Sequence, residues 1–373
     1  MNPELNEKVK NLIDQQISDK LQIGVQVCAY QYGEKIIDTW AGTMGPNDSR
    51  PIQKDSLFCS ASTTKGVTST ALHILADKKI LDYDDPVTKY WPEFGKHGKD
   101  KITIAQAFSH QTGVYRRPKD SDFDITDWES GIKYIENSKP AFEPGTKTAY
   151  QALTFSWIAG GIIQKASGKR PSDVIREEIA LPLGLENEMY VGIPDGVEDR
   201  LTTLEIWDPS SWGIPEDSIF FEALPATREG WAVYNLMKYR KACLPSSTGH
   251  FTAHALAKMY GALANGGIVD GVRLVSPERI EYMQKQMTWS DDLIAGPGRK
   301  SIGFFLGSPS EIYGPRGTAF GHGGAGGSTG FADPDVGLSI GITLNKMEFP
   351  MSRDENRTLQ ICELIRKELR VNT

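Results

Sequence analysis

Cysteine is scarce in this chain, with four residues among 373, widely spaced and without a CxxC pair. Zinc ribbons and thioredoxin-like redox proteins depend on such pairs, so both classes are excluded. The thiols are predicted to be reduced and mostly buried as small apolar side chains. They are Cys28, Cys59, Cys243 and Cys362.

Long apolar runs and an excess of positive charge are also missing. No uncharged apolar segment reaches the roughly 18 residues that a transmembrane helix needs. The formal net charge of −7 argues against nucleic acid as a partner, because such binders concentrate Lys and Arg. Residues 1–7 are polar and acidic and lack the basic and apolar regions of a secretory signal. A cytoplasmic location is therefore expected.

The pattern of a metal site is incomplete. His250 and His254 are four positions apart and could share one helix face. No Glu follows His250 as in HExxH, and no third ligand is evident. The sequence therefore predicts neither a metal ion nor another cofactor.

Hydrophobic periodicity predicts where the regular structure lies. Residues 4–20 have the spacing of an amphipathic helix, and strand-like runs at 23–30 and 35–40 flank a short hairpin turn. Residues 62–79 predict a buried helix and 253–264 a second helix. Strand patterns return after residue 301, and residues 354–369 predict a terminal helix. One α/β layer built from both chain ends, with a largely helical part inserted, is expected.

A serine and a lysine lie one helical turn apart at Ser62 and Lys65. Ser62 would stand at the positive end of the helix dipole, which suits a nucleophile that carries negative charge in passing. Lys65 begins an otherwise apolar helix, so it is either paired or has a depressed pKa, and a neutral amine can deprotonate a serine. The SxxK pattern recurs at Ser130–Lys133, where nothing else supports it.

The segment 143–152 contains a Pro-Gly turn and presents Tyr150 just before a predicted helix. One interpretation is packing with a hydrogen-bonded hydroxyl. The other is a phenol that moves a proton between Ser62 and the leaving group, with its pKa lowered by a Lys65 ammonium.

The glycine-rich segment 320–331 matches several unrelated patterns. Its GxGxxG lacks the βαβ context of a dinucleotide site. Its GxSxG places Ser328 where α/β-hydrolases have a nucleophile, yet no histidine follows Ser328 in the chain. The remaining interpretation is a strand whose glycines allow a substrate close to the backbone. The N–H groups of Ala325 and Ser62 would then form an oxyanion hole.

Together these segments resemble the serine β-lactamase and penicillin-binding-protein superfamily, in particular its class C β-lactamase-like branch with the family VIII esterases. The likeness covers nearly the whole chain. Three motifs carry it: Ser62-Thr63-Thr64-Lys65 as SxxK, Tyr150-Gln151-Ala152 as a YxN variant, and His322-Gly323-Gly324 where β-lactamases have KTG. Supporting segments have matching order and spacing, namely 81–87, 109–113, 143–145 and 181–185.

The resemblance implies an α+β fold, with an antiparallel sheet flanked by helices as in β-lactamases and transpeptidases, and a covalent acyl-enzyme. The expected division is a sheet domain of residues 1–80 and 255–373 and a mostly helical domain of residues 81–254, with the active site in the cleft between them.

Two departures from the β-lactamase pattern affect substrate recognition. Ala152 replaces the asparagine that binds the amide side chain of penicillins. His322 replaces the lysine that pairs with the β-lactam or peptide carboxylate, and it is largely neutral near pH 7. Both changes fit esters or thioesters without a carboxylate at that place.

The expected function is therefore a cofactor-free serine hydrolase of small-molecule esters, with Ser62, Lys65 and Tyr150 catalytic and with water completing the reaction. Substrate contacts are predicted for Ala152, Trp212, His322, Gly323 and Gly324. The aromatic segment 207–231 is a candidate acyl or acceptor pocket, with core packing as the alternative. Acyl transfer to an alcohol, β-lactamase or D-alanyl peptidase activity, and a non-catalytic binding role stay open, as does the oligomeric state. The complete Ser62, Lys65 and Tyr150 set argues against a non-catalytic protein.

Overall fold

A seven-stranded sheet organises the chain, and every pair of neighbouring strands in it is antiparallel. The computed structural model describes residues 1–119, 122–209, 213–215, 217–309, 311–347 and 355–371. Across the sheet, the first three strands of the chain in reverse order are followed by its last four in reverse order, so the two groups meet inside the sheet. The prediction of a sheet built from both chain ends is confirmed.

The strands of this sheet are β1 (Gly24–Gln31), β2 (Glu34–Gly45), β3 (Asp48–Pro51), β9 (Phe305–Leu306), β10 (Phe320–Gly323), β11 (Thr329–Asp333) and β12 (Leu338–Leu344). Short strands form two smaller sheets: β4 (Phe58–Cys59), β5 (Met189–Val191) and β6 (Gly249–Phe251) make one, and β7 (Ile268–Val269) and β8 (Val272–Arg273) make the other.

The helices lie before, between and after these strands. They are α1 (Pro3–Ser18), α2 (Thr64–Asp77), α3 (Ile104–Phe108), α4 (Trp128–Asn137), α5 (Phe155–Ser167), α6 (Pro171–Ile175), α7 (Phe220–Ala223), α8 (Arg228–Ala232), α9 (Met237–Lys241), α10 (Ala253–Ala264), α11 (Pro277–Gln284) and α12 (Arg357–Glu368).

Both faces of the central strand β1 are covered, since its residues are buried from Gly24 to Tyr30. Val25, Val27 and Ala29 share a core cluster with residues of α1 and α12. Cys28 and Tyr30 belong instead to the large cluster that contains α10 and α2. Alternate side chains of a strand point to opposite faces, which explains this division.

Helix α2 is buried from Thr64 to Ala76 and starts two residues later than the sequence predicts. Ala61–Thr63 form a 3-10 turn instead, with Ala61 in the left-handed region at φ +44°. The turn separates β4 from α2 and holds Ser62 just outside the helix. Among the described residues of the range 81–254, seven α-helices occur, α3 to α9. The division into two domains stays a prediction.

The terminal helix α12 begins at Arg357 because the Asn356 side chain accepts the backbone N–H of Leu359 at 3.0 Å. Within the described ranges, no helix combines the length and the apolarity that crossing a bilayer requires.

Candidate active site

Ser62 lies on the 3-10 turn between β4 and α2 and is partly accessible. Its turn is fixed to β6, since the backbone N–H of Ser60 donates to the carbonyl of Gly249 at 2.8 Å. The Thr64 hydroxyl donates to the carbonyl of Ala61 at 2.6 Å and accepts the N–H of Gly249 at 2.9 Å. These contacts hold Ala61 in its uncommon backbone conformation and fix the position of Ser62.

Lys65 is fully buried, and its Nζ lies 3.0 Å from Ser62 Oγ. Nζ also donates to the carbonyls of Ala152 at 2.9 Å and Ser246 at 3.1 Å. Burial lowers the pKa of Lys65 well below its usual value. A neutral amine has two N–H groups and one lone pair. With the two carbonyls accepting the N–H groups, the lone pair is left for the Ser62 hydroxyl proton.

Tyr150 is buried and lines the larger cavity at Ser62. Lys65 Nζ lies 4.9 Å from the centre of its ring. Burial raises the pKa of Tyr150, and the nearby side chain of Ser62 opposes this only in part. The expectation that a Lys65 ammonium lowers this pKa is therefore wrong, because both groups are desolvated in their neutral forms. Tyr150 is a phenol that can donate a proton.

The backbone of Tyr150 is fixed by Asp292, a residue that the sequence analysis missed. One oxygen of this buried carboxylate, Oδ1, accepts the N–H groups of Tyr150 at 2.9 Å and of Ile294 and Ala295 at 2.8 Å each. The other oxygen, Oδ2, lies 3.1 Å from Nζ of the buried Lys300. No local sequence pattern predicts the contact between Asp292 and Tyr150, because the two residues are 142 positions apart in the chain.

The glycine-rich segment after β10 lies against the turn that carries Ser62. The Ser328 hydroxyl donates to the carbonyl of Ser60 at 2.9 Å and lies 3.1 Å from Thr63 Oγ1. The backbone N–H of Gly324 donates to the carbonyl of Ser328 at 2.7 Å. A Cβ at Gly324 would come within 2.3 Å of the Ser60 carbonyl oxygen, so only glycine allows this approach. Ser328 therefore connects the two segments predicted to form the oxyanion hole.

His322 is buried with its ring centre 6.1 Å from that of Tyr150 and 5.2 Å from that of Phe305. Burial lowers the pKa of His322 to about 3. The ring is therefore neutral at pH 7 and supplies no positive charge where β-lactamases have a lysine. Its Nδ1 contacts the carbonyl of Gly323 at 2.7 Å.

Ser62 lines two cavities. The larger, about 320 Å³, contains the predicted site residues Tyr150, His322, Gly323 and Gly324. The smaller, about 210 Å³, contains Ala152, which also gives its carbonyl to Lys65. Besides Ser62, three residues line both cavities: Leu224, Trp231 and Ala325. Two grooves of about 640 and 620 Å³ lie elsewhere on the surface and contain neither Ser62 nor Tyr150.

The aromatic segment 207–231 reaches the site through Trp231, which lines both cavities. Trp207 packs, partly buried, against the large core cluster. The predicted substrate contact at Trp212 lies outside the described residues.

His250 and His254 have partners within the protein. His250 Nδ1 contacts the carbonyl of Thr248 at 3.0 Å. His254 Nδ1 lies 2.9 Å from Glu188 Oε2, and His254 Nε2 lies 3.0 Å from the Tyr30 hydroxyl. Over the described ranges, no group of three or more His, Cys, Asp or Glu side chains is arranged to hold a metal ion.

Known proteins are similar to this chain in sequence and in fold. The family model described as Beta-lactamase matches residues 9–364. The Esterase/beta-lactamase LipL of Mycobacterium tuberculosis is 31% identical over 352 residues, which cover 88% of this chain and 78% of that protein. The crystal structure of a family VIII carboxylesterase superposes with a TM-score of 0.87 and 32% identity, covering 97% of both chains.

A penicillin-binding protein homologue from Caulobacter crescentus has the same TM-score of 0.87, at 30% identity and over 98% of this chain and 97% of that one. The predicted superfamily and the antiparallel sheet flanked by helices are thereby confirmed. This chain belongs to the beta-lactamase family.

Proposed function

We propose that the protein is a serine hydrolase that cleaves carboxylic esters through an acyl-enzyme on Ser62. The observation that carries the proposal is the buried Lys65 amine, 3.0 Å from Ser62 Oγ with its two N–H groups accepted by carbonyls. This geometry supplies a base for a serine that is otherwise a weak nucleophile.

In the first step Ser62 Oγ forms a bond to the ester carbonyl carbon while its proton passes to Lys65 Nζ. The bond from that carbon to the alcohol oxygen then breaks, and the departing oxygen takes the phenolic proton of Tyr150. The extra proton on Lys65 restores the phenol, since an ammonium is unfavourable in this buried position. The products are the free alcohol and an ester of Ser62.

In the second step a water molecule takes the place of the alcohol. It loses a proton to Lys65, and its oxygen forms a bond to the acyl carbon. The bond from that carbon to Ser62 Oγ then breaks, Ser62 Oγ takes the proton back from Lys65, and the carboxylic acid departs. The backbone N–H groups of Ser62 and Ala325 are proposed to hold the oxyanion in both steps. A donor of this kind contributes about 3 kcal/mol to lowering the barrier.

Esters fit the site better than β-lactams do. The neutral His322 offers no fixed charge for a substrate carboxylate, and Ala152 offers no side-chain amide. The similarity to Esterase/beta-lactamase LipL and to a family VIII carboxylesterase supports an ester substrate. Acyl transfer is a second candidate because two cavities open at Ser62, leaving room for an alcohol acceptor beside a bound acyl group.

The test is intact mass spectrometry after mixing with a p-nitrophenyl ester. The wild type should gain the mass of one acyl group, whereas Ser62→Ala should gain none. Ser130→Ala is the matched control, because Ser130 belongs to the second SxxK and its hydroxyl donates to Asp127 at 2.6 Å. Full turnover by Ser62→Ala would contradict the mechanism. Added alcohols that divert the acyl group into a new ester would favour transfer.

A further inference from the structure

The larger cavity beside Ser62 has a wall of aromatic rings. Phe220, Trp231, Phe305 and Tyr313 line it, together with Tyr150. Tyr150 lines this cavity and is absent from the lining of the smaller one. Since Tyr150 is the proposed proton donor to the departing oxygen, the alcohol portion of the ester belongs in the larger cavity.

One lining residue of this cavity is acidic. The acidic residue is Glu311, and three other ionisable side chains line the cavity with it. Burial keeps His322 neutral and raises the pKa values of the phenols of Tyr150 and Tyr313. Burial also raises the pKa of the Glu311 carboxyl. None of these groups is a cation at pH 7.

Glu311 has no ion-pair partner among the described residues. The nearby cation, Lys300, lies 3.1 Å from Asp292, and its influence on Glu311 is electrostatic attraction without a direct contact. Burial raises the pKa of Glu311 because the site gives its negative charge too little compensation. A cation in the cavity would supply the missing compensation.

We propose that this cavity selects esters whose alcohol portion carries an ammonium group, with Glu311 and the surrounding aromatic rings as its binding site. The inference rests on the proposed esterase function. Aromatic rings attract cations through their negative faces, and a partly desolvated carboxylate adds a direct charge interaction. A substrate with a carboxylate in the same place would be repelled by Glu311.

The test compares two thioesters of equal shape, butyrylthiocholine and S-(3,3-dimethylbutyl) thiobutyrate, in which a carbon replaces the quaternary nitrogen. Their hydrolysis is followed by thiol release. The wild type should show kcat/KM about tenfold higher for the cation. Glu311→Gln should lower this ratio severalfold by weakening hydrolysis of the cationic substrate alone, while the aromatic rings keep part of the preference. Glu278→Gln is the control for net charge, since Glu278 is exposed on α11 and lies outside both cavities.

Equal kcat/KM values for the two thioesters on the wild type would overturn the inference, as would a preference of unchanged size in Glu311→Gln. If neither thioester is hydrolysed while a p-nitrophenyl ester still acylates Ser62, the ammonium inference fails and the esterase proposal stands. The esterase proposal itself fails if no ester forms an adduct on the wild type.

Discussion

Asp292 Oδ1 accepts the backbone N–H of Tyr150 at 2.9 Å, and Asp292 Oδ2 lies 3.1 Å from Lys300 Nζ. A single buried carboxylate therefore fixes the backbone of the proposed proton donor and neutralises a buried cation. Removing it affects both functions, since a lone buried charge is much less stable than a paired one.

Asp292→Ala is expected to reduce the free energy of unfolding by about 3 kcal/mol, because Lys300 loses its partner. It should also lower kcat, since Tyr150 loses the acceptor of its N–H. Urea denaturation and ester turnover measure the two effects. Asp292→Asn with Lys300→Met keeps an acceptor oxygen and removes both charges, so it should recover most of each loss. Equal kcat in Asp292→Ala and the wild type would contradict the positioning role.

Lys65→Met should lower kcat/KM for an activated ester by about 10²–10⁴-fold, the contribution typical of a general base. The free energy of unfolding should change little, because the desolvation cost of the amine is removed while the carbonyls of Ala152 and Ser246 lose their donor. Lys133→Met is the matched control and should retain wild-type turnover, because Lys133 belongs to the second SxxK and is exposed. A Lys65→Met variant with unchanged kcat/KM would exclude Lys65 as the base.

The pH dependence of turnover should follow the same amine. Since burial lowers the pKa of Lys65 well below its usual value, the neutral base forms at a lower pH than for an ordinary lysine, and activity should fall as the pH drops through that lowered value. A plot of kcat/KM against pH for a substrate that does not ionise checks this. Activity that appears only as the pH approaches 10.5, the ordinary lysine value, would contradict a lowered pKa of the base.

Acid should destabilise the protein from about pH 6.5 downward, near the usual histidine pKa. Burial lowers the pKa of four histidines, so the unfolded chain binds protons that the folded chain does not; they are His73, His110, His250 and His322. Each reduces the free energy of unfolding by about 1.4 kcal/mol per pH unit below 6.5, until its folded pKa is reached.

Urea denaturation at pH 7.5 and 5.5 measures the acid effect. His250→Asn should make the dependence shallower by about one proton, since the pKa of His250 is lowered to about 3. His97→Asn should leave it unchanged, because His97 is exposed and Asn tolerates its positive φ of +60°. A stability that does not fall between pH 7.5 and 5.5 would show that these histidines are not buried in their neutral form.

Gly324→Ala should lower kcat more than Gly323→Ala does. The new Cβ at position 324 would lie 2.3 Å from the Ser60 carbonyl oxygen and 2.4 Å from Ser328 Oγ. These distances are too short, so the glycine-rich segment would have to move away from the turn that carries Ser62. At position 323 the nearest atom is Tyr313 Oη at 3.4 Å, an ordinary contact. Single-turnover acylation rates separate the two variants. Equal rates would show that the close approach at Gly324 does not affect catalysis.

Much of the fold was predictable because its patterns are local. Alternation and helical spacing placed β1, β2, α1, α10 and α12, and the family motifs predicted the antiparallel sheet. The start of α2 was misplaced, since the 3-10 turn at Ala61–Thr63 depends on contacts with Gly249, far along the chain. The roles of the site residues stay predictions.

The sequence by itself determined that Ser62 and Lys65 lie close together, because three positions along a helical segment always bring side chains to one face. Only the tertiary structure decided their chemical state. Burial, which many distant residues produce together, lowers the pKa of Lys65 and raises that of Tyr150. The same long-range packing brings Asp292 to the backbone of Tyr150 and Glu311 into the lining of the larger cavity. No local pattern encodes these contacts, because they exist only once the chain has folded.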